Sequence, residues 1–481
     1  MTASQRIARW GALGLLLAAP AMAGNGHFLH GIGAINSSMG GAGVSVATDP
    51  LSSVHANPAL IAYMKGTQSI ISTEFFKPSL SMSTRGTVPT PDGGTFFVDQ
   101  TTESEDELGV LPAVAWSHKF DPESKLTIAG GLIAAAGFRT AWPVDNTSLV
   151  LAAQPRGFGR LQTELGITKY PFTAAYQVND NLAVGGSLLL FQGRLVIQPL
   201  PVVLPDCPDV AGDGGGREDD CRSSFDADGN VLVAQDTISF RPSTSGQVGS
   251  WAPAIQVGAH YQASDLLSVG FSFTSGANFK KYEWDSTVSN PYLYDEAGQI
   301  TGPNPEYGNH RRISIDIDGP PIVSLGIGIH PSEKLAIAID GRWVGYKNTS
   351  GIGEPTGVGP TQELIGIGWQ DILIGMVGAQ YTVDEKLKLR AGVNINQSPI
   401  KEEWTLNSGG TPSTFDQHYT LGASYAVGPH LTADFGFYYT PESTRTGPIY
   451  NSTTWPAQDR DWEVDLSNGI VSGLVGLTFA F

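Results

Sequence analysis

The sequence predicts an all-β fold: a 14-stranded antiparallel transmembrane β-barrel with an N-terminal hatch of short helices that plugs the lumen. Three observations predict it. Apolar residues alternate with polar or small residues over many segments, and the connections between these segments are alternately short and long. A short polar phrase followed by Leu also occurs six times, in "DPESKLTIAG", "VNDNLAVGGS", "ASDLLSVGFS", "HPSEKLAIAI", "VDEKLKLRAG" and "VGPHLTADFG".

The alternation has the period of two that is typical of a half-buried β-strand. In "LAIAIDGRW", Leu335, Ile337 and Ile339 fall on one face of the strand. Asp340 and Arg342 fall on the other face, which indicates one apolar side and one polar side. The fourteen predicted strands span residues 67–82, 110–120, 126–138, 165–178, 182–199, 249–264, 266–284, 310–332, 334–348, 368–383, 386–400, 416–428, 431–441 and 464–481.

The connections favour a membrane barrel over a soluble sandwich. The six repeated phrases are tight turns, and long loops, the longest at 200–248, alternate with them. An even number of strands with short turns at one end and long loops at the other is typical of outer-membrane barrels. The terminal Phe481 of an alternating strand resembles the assembly signal of such proteins. Interfacial aromatic girdles are predicted from six tryptophans near strand ends: Trp116, Trp251, Trp284, Trp343, Trp369 and Trp404.

Residues 1–23 have the layout of a secretory signal peptide, with Arg6 and Arg9 before an apolar core and a small-residue cleavage site. Removing both arginines takes the formal charge from −18 to −20, which argues against a nucleic-acid partner. In an exported protein the two cysteines, Cys207 and Cys221, are expected to form a disulfide.

Residues 24–66 do not alternate and precede the barrel, residues 67–481. Asn57 is placed as the N-cap of a short helix and Pro58 as its first residue. Because this segment has no core of its own, we expect it to pack inside the barrel.

This segment resembles the hatch of the FadL/TodX (OMPP1) family, outer-membrane transporters of long-chain fatty acids and aromatic hydrocarbons. The residues that carry the resemblance are "SSMGGAGVSVATDP" and "NPALI", so Asn57, Pro58 and Ala59 match the hatch motif. The resemblance implies a plugged fourteen-stranded barrel, no cofactor and a monomer in the outer membrane, in contact with lipid and lipopolysaccharide.

The stretch "GGLIAAAGFRTAWP" is similar to the third strand of that family, which is kinked and opens a gap in the wall. The residues expected at the kink are Ala134, Ala135, Ala136 and Gly137. A plain strand whose small side chains pack on the hatch is the alternative interpretation.

The stretch "GGSLLLFQGRLVI" resembles the fifth strand of the family, which carries an arginine near the ligand carboxylate. Arg194 matches it and is expected to face inward, because a lipid-facing arginine costs about 2–4 kcal/mol at mid-depth. Lys388 and Arg390 are expected to add positive potential. The alternative is a structural Arg194, held by an internal acid such as Asp340 or Asp434.

Together with these patterns, the resemblance implies a protein that is not an enzyme and that takes up hydrophobic small molecules, with long-chain fatty acids favoured. The ligand is expected to bind in a pocket of the lumen and to leave sideways through the gap in the wall. Uptake of aromatic or aliphatic hydrocarbons is the alternative. A general porin and a barrel lipase are more remote, and the sequence contains neither G-x-S-x-G nor H-E-x-x-H. No metal site is predicted, although the acidic loop 206–228 leaves weak cation binding open.

Overall fold

The structure, a computed structural model, describes twelve stretches of the chain: residues 24–89, 93–105, 107–152, 159–198, 247–287, 292–294, 300–303, 305, 308–353, 357–358, 364–449 and 461–481. Fourteen strands form the wall and are labelled β1 to β14 in chain order. They are Thr67–Pro89, Gly109–Lys119, Leu126–Trp142, Leu161–Gln177, Leu182–Gln198, Val248–Gln262, Leu267–Thr274, Ile322–Ser332, Leu335–Val344, Ile372–Thr382, Leu387–Asn396, Gln417–Gly428, Leu431–Pro448 and Glu463–Ala480.

The strands close into a barrel. Each wall strand pairs antiparallel with the next, and β14 pairs with β1. A closed barrel leaves no lipid-exposed edge of unpaired backbone groups, which is a requirement for crossing hydrocarbon with strands. The predicted fold class is confirmed.

All six repeated phrases are the short turns at one end of the barrel. In four of them a side-chain oxygen accepts from the backbone N–H of the Leu that follows: Asn179 Oδ1, Asp384 Oδ1, Ser124 Oγ and Ser264 Oγ. Asn and Asp favour tight turns for this reason. The Leu that follows each polar phrase is the first ladder residue of the returning strand.

The two faces of the wall differ as the alternation predicts. Ile339, Leu389 and Leu421 point outward and expose about half of their surface. Asp340 and Asn394 point into the lumen and are buried. The outer face is therefore suited to lipid, and the lumen contains the polar side chains.

Two predicted strands are too long. β7 ends at Thr274 and β8 begins only at Ile322. Between them, Tyr282–Thr287 pairs with His310–Ile315 as a separate ribbon, because alternation alone does not distinguish a wall strand from a loop hairpin. Among the described residues, three further short strand pairings lie outside the fourteen: Thr95–Glu103 against β1, Tyr292–Tyr294 against Ile300–Pro303, and Gly357–Val358 against Leu364–Ile365.

The predicted aromatic girdle is also only partly present. Trp116 and Trp251 are exposed on the outer face, whereas Trp284, Trp369 and Trp404 are buried. These three tryptophans lie beyond the outer ends of wall strands, in the long connections, and pack inward.

Residues 24–66 fill the lumen as a hatch. It contains α1 (Gly33–Ser37), α2 (Pro50–Ala56) and a 3-10 helix (Pro58–Tyr63). Backbone N–H groups of the hatch donate to two strands of the wall: Gly40 to Thr420 Oγ1 in β12 and Gly43 to Asp340 Oδ2 in β9. No helix among the described residues is long and apolar enough to cross a bilayer.

The loop between β11 and β12 folds inward from the outer end of the barrel. It contains two short 3-10 helices, Glu402–Trp404 and Leu406–Ser408. Ser413 Oγ donates to the carbonyl of Gly26 in the hatch, 2.8 Å away, and Trp142 Nε1 donates to the carbonyl of Gly409. The hatch is therefore covered from outside by the protein's own chain.

Candidate functional site: a cationic chamber beside the hatch

A chamber lies between the hatch and the inner face of the wall. Its unfilled space, including the part that opens to solvent, is about 580 Å³. One part of the lining is apolar and the other carries two cations. The apolar side chains are Phe28, Ala56, Ala135, Phe191, Ile322, Val344 and Ile374, and the polar ones include Lys169, Arg342, Gln256, His55 and Asn25.

Lys169 enters the chamber from β4. Its side chain is 5% exposed, and its Nζ donates to the carbonyl of Val54 and to Gln256 Oε1, each at 3.3 Å. Both acceptors are uncharged. A buried ammonium held only by neutral oxygens keeps most of the cost of leaving water.

Arg342 enters from β9 and is 7% exposed. Its Nε donates to Ser324 Oγ at 3.3 Å. Within the described residues, neither Arg342 nor Lys169 forms an ion pair with a carboxylate.

Asp340, the acid nearest to Arg342 along the strand, is hydrogen-bonded to the hatch instead of to Arg342. Its Oδ2 accepts from the backbone N–H groups of Gly43 and Val44 at 2.6 and 2.8 Å. If Asp340 is counted with Arg342 and Lys169, the chamber retains one uncompensated positive charge.

Two neutral polar groups of the hatch also line the chamber. Burial, followed by the charges of Lys169 and Arg342, holds the pKa of His55 well below its usual range, so the imidazole is neutral at pH 7. His55 Nδ1 and both side-chain amide atoms of Asn25 have no hydrogen-bond partner among the described residues. A buried polar atom without a hydrogen-bond partner lowers the stability of the folded protein unless a ligand or water supplies the missing hydrogen bond.

The chamber reaches the wall at β3, where the predicted kink residues lie. β2 pairs with β3 only as far as Ile133, and the register between β3 and β4 shifts between Ala134 and Ala136. Beyond this point the hatch takes the place of β2, because Gly137 N–H donates to the carbonyl of His27 at 2.8 Å.

Gly137 supports this break in the wall with a φ of +154°, a backbone conformation that favours glycine. The wall ladder is therefore interrupted at Ala134–Gly137, and Ala135 lines the chamber at the interruption. Whether a ligand leaves there stays a prediction.

Arg194 does not face the chamber, so the predicted inward orientation is wrong. On β5 the lumen side is formed by Leu189, Phe191 and Leu195, all buried, whereas Leu188 and Leu190 are exposed on the face that Arg194 shares. The free-energy penalty for a lipid-facing arginine applies at mid-membrane. β5 has 17 residues, more than a crossing needs, and Arg194 lies near its outer end.

The surroundings of Arg194 agree with an interfacial position. On the same outer face Tyr170 stacks on Trp251 with ring centroids 6.0 Å apart, and Tyr170 OH donates to Gln192 Oε1. Neither Asp340 nor Asp434 lies on this face, because both point into the lumen.

Lys388 and Arg390 share the lumen-facing side of β11, but neither lines the chamber. Arg390 is buried and donates to Gln380 Oε1 and Ser424 Oγ at 2.8 and 2.7 Å. Ser424 in turn donates to Asp434. Lys388 is exposed one step nearer the turn. These contacts give Arg390 a structural network, and a ligand role for either residue stays a prediction.

The hatch motif lies against β5 and β6. Asn57 Oδ1 accepts from Ala59 N–H, while Nδ2 donates to the carbonyls of Val44 and Ala259 at 2.8 and 3.0 Å. A Cβ on Gly258 would lie 2.0 Å from Asn57 Oδ1, so this wall glycine makes room for the motif.

The sequence reasoning placed Arg342 on the lumen face without giving it a binding role, and it did not single out Lys169. A signal was available for both, since a cation within a membrane-crossing strand is expected to face the lumen rather than lipid. The proposed signal peptide, Cys207 and Cys221, and the acidic loop 206–228 lie outside the described residues. Within those residues no group of His, Cys, Asp or Glu has the spacing of a metal site.

A closed fourteen-stranded barrel whose lumen is plugged by its own N-terminal segment defines a transport protein of the bacterial outer membrane. The chain belongs to the family described as "Outer membrane protein transport protein (OMPP1/FadL/TodX)", which matches residues 15–470.

Individual relatives are distant in sequence. Outer membrane protein P1 of Haemophilus influenzae is 20% identical over 413 residues, which cover 83% of this chain and 82% of that protein. A FadL homologue of Pseudomonas aeruginosa superposes with a TM-score of 0.64 at 14% identity, covering 94% of this chain and 98% of its own. The toluene transporter TodX of Pseudomonas putida gives 0.61 at 16%, covering 94% and 99%. At these identities the superpositions establish the fold alone.

Proposed function

We propose that this protein takes up hydrophobic monocarboxylic acids, long-chain fatty acids above all, and that Lys169 and Arg342 bind the carboxylate. The observation that carries the proposal is the pair of buried cations with no carboxylate partner among the described residues, in a chamber that is lined on one part by apolar side chains. A ligand carboxylate would supply the missing anion through charge-assisted hydrogen bonds. A single negative charge also matches the one uncompensated positive charge of the chamber.

The apolar tail supplies the driving force. Phe28, Phe191 and Ile374 would surround it, and burial of each methylene is worth about 0.8 kcal/mol. Since the chamber extends to Ala135 at the interrupted ladder, the tail would leave sideways into the membrane there, once the hatch segment bonded to β3 at Gly137 moves aside. This route would avoid returning a hydrophobic molecule to water.

A binding assay with purified protein tests the carboxylate assignment. Hexadecanoate and its methyl ester are compared on wild type, Lys169→Met and Arg342→Met. Loss of one charged hydrogen bond of about 1.5–3 kcal/mol should weaken the acid roughly tenfold to a hundredfold. The ester should bind all three proteins alike. Arg194→Met is the matched control, since this arginine lies on the outer face, and its affinity for the acid should not change.

Hydrocarbon uptake is the second candidate, favoured by the apolar part of the lining. A toluene-like ligand needs no cation and leaves Lys169 and Arg342 uncompensated. If wild type binds acid and ester equally well, and neither methionine variant changes this, the carboxylate proposal is wrong. Toluene binding by the same proteins would then identify the hydrocarbon function.

A further inference from the structure

We infer that the preferred ligand carries a neutral hydroxyl or carbonyl group in addition to its carboxylate, and that Asn25 and His55 recognise it. This inference rests on the proposed function, because it assumes that Lys169 and Arg342 hold the acid group. It makes the ligand an oxygenated fatty acid rather than a plain one.

Asn25 provides the main evidence. Its side chain is fully buried, it lines the chamber, and neither its amide nitrogen nor its amide oxygen has a hydrogen-bond partner among the described residues. The backbone of Asn25 is fixed by bonds with Phe28, so the residue cannot easily move to water. The amide torsion itself is soft, so the group can turn toward a ligand atom.

His55 offers a second neutral group from another part of the hatch. Its carbonyl is held by Gln256 Nε2 at 3.0 Å, which fixes the end of α2, while its Nδ1 has no partner among the described residues. Of the buried side-chain atoms in the described structure that lack a partner, only those of Asn25 and His55 belong to residues that line the chamber.

The chemistry of these two groups differs from that of the cations. An asparagine amide both donates and accepts, and a neutral imidazole nitrogen does one or the other according to its tautomer. Both suit a hydroxyl or carbonyl oxygen. A site built to hydrogen-bond a ligand group discriminates strongly against an analogue that lacks the group, because its own polar atoms then stay unpaired.

The test compares ligands that share one head group. Hexadecanoate is measured against 2-, 3- and 16-hydroxyhexadecanoate on the full-length protein, on Asn25→Leu and on His55→Phe. In a purely apolar chamber an added hydroxyl weakens binding. We expect at least one hydroxy acid to bind wild type about threefold to tenfold tighter than hexadecanoate. Asn25→Leu should remove this preference while binding hexadecanoate at least as well as wild type.

Asn394→Leu is the matched control, since Asn394 is a buried asparagine that contacts the hatch at Gly40 outside the chamber. It should keep the wild-type preference, and His55→Phe serves if Asn25→Leu does not fold. If no hydroxy acid binds wild type more tightly than hexadecanoate, the inference is wrong and water satisfies these groups. The proposed function is judged separately, by whether wild type prefers hexadecanoate to its methyl ester.

Discussion

Asn57 connects three parts of the molecule through one side chain. Its amide joins the carbonyl of Val44 in the hatch to that of Ala259 in β6, and its oxygen caps the 3-10 helix at Ala59. Replacing it with Ala leaves these groups buried without partners, at about 1–3 kcal/mol each. We therefore expect Asn57→Ala to lower the temperature at which the folded barrel converts to the unfolded band in gel electrophoresis.

The comparison for this substitution is Asn181→Ala in an exposed turn. There the backbone makes the turn bonds, and the side chain of Asn179 accepts the free N–H groups. The transition temperature of Asn181→Ala should stay close to that of wild type. Equal temperatures for Asn57→Ala and Asn181→Ala would mean that the motif does not anchor the hatch.

The orientations of Asp340, Arg342 and Arg194 show what the alternation of apolar and polar residues can and cannot predict. Asp340 and Arg342 were assigned to the lumen correctly, because their strand has the same apolar face over its whole length. Arg194 was assigned wrongly, because both alternate sets of β5 contain leucines and the depth of a residue in the membrane cannot be read from the sequence. Lys169 and Arg342 meet only through the barrel's closure, so their proximity was not predictable from spacing.

At the scale of the element, the inward-folded loop between β11 and β12 makes a specific geometric prediction. A Cβ on Gly410 would lie 3.4 Å from the Cβ of Thr163 in β4. Disulfides join Cβ atoms about 3.5–4.5 Å apart. The double variant Thr163→Cys with Gly410→Cys, with Cys207→Ser and Cys221→Ser also introduced, should therefore cross-link on mild oxidation.

Mass spectrometry of the digested protein would detect the cross-linked peptides. Thr163→Cys combined with Gly428→Cys is the control, since Gly428 lies in a turn at the opposite end of the barrel. If neither pair cross-links, the loop does not sit against β4 in solution.

The interrupted ladder of β3 carries the second prediction at this scale. β-Branched side chains at Ala134 and Ala135 would fill the space where the wall pairing stops. We expect Ala134→Val with Ala135→Val to slow fatty-acid uptake by cells severalfold, while the purified variant still binds hexadecanoate. Uptake of radiolabelled fatty acid and equilibrium binding measure the two properties separately.

Ala174→Val serves as the control, because Ala174 lies on the exposed face of the neighbouring strand. It adds the same kind of side chain without touching the chamber. Uptake at the wild-type rate by the Ala134/Ala135 variant would show that ligands leave elsewhere.

Elements were predictable to different degrees for physical reasons. The six turns and the wall strands that they connect combine a polar turn with strict alternation, and each appears in the structure. The predicted strands 266–284 and 310–332 are longer than β7 and β8. The solvated ribbon between these two strands has the same alternation of apolar and polar residues as a wall strand. The break in β3 was expected only from resemblance, since small residues alone also suit an unbroken strand against the hatch.

At the scale of the whole molecule, barrel and hatch are separable in principle. Every wall strand pairs with two wall neighbours, so the fourteen ladders close without help from the hatch except at the break in β3. The hatch, by contrast, depends on the wall: Gly40 donates to Thr420, and Gly43 and Val44 donate to Asp340. Removing part of the hatch should therefore leave a folded barrel.

Deletion of Gly24–Ala47 tests this relation and is expected to raise single-channel conductance in planar bilayers. The deletion removes α1, the segment that pairs with β3 at the break, and the carbonyl of Gly26 that holds Ser413 of the inward loop. A lumen emptied of these residues would admit water and ions past the inward-facing Asp340, Arg342 and Arg390. The truncated barrel should also admit sugars in liposome swelling, which the full-length protein should exclude. Unchanged conductance in a correctly folded variant would mean that the long loops alone seal the lumen. The hatch would then shape the chamber without plugging the barrel.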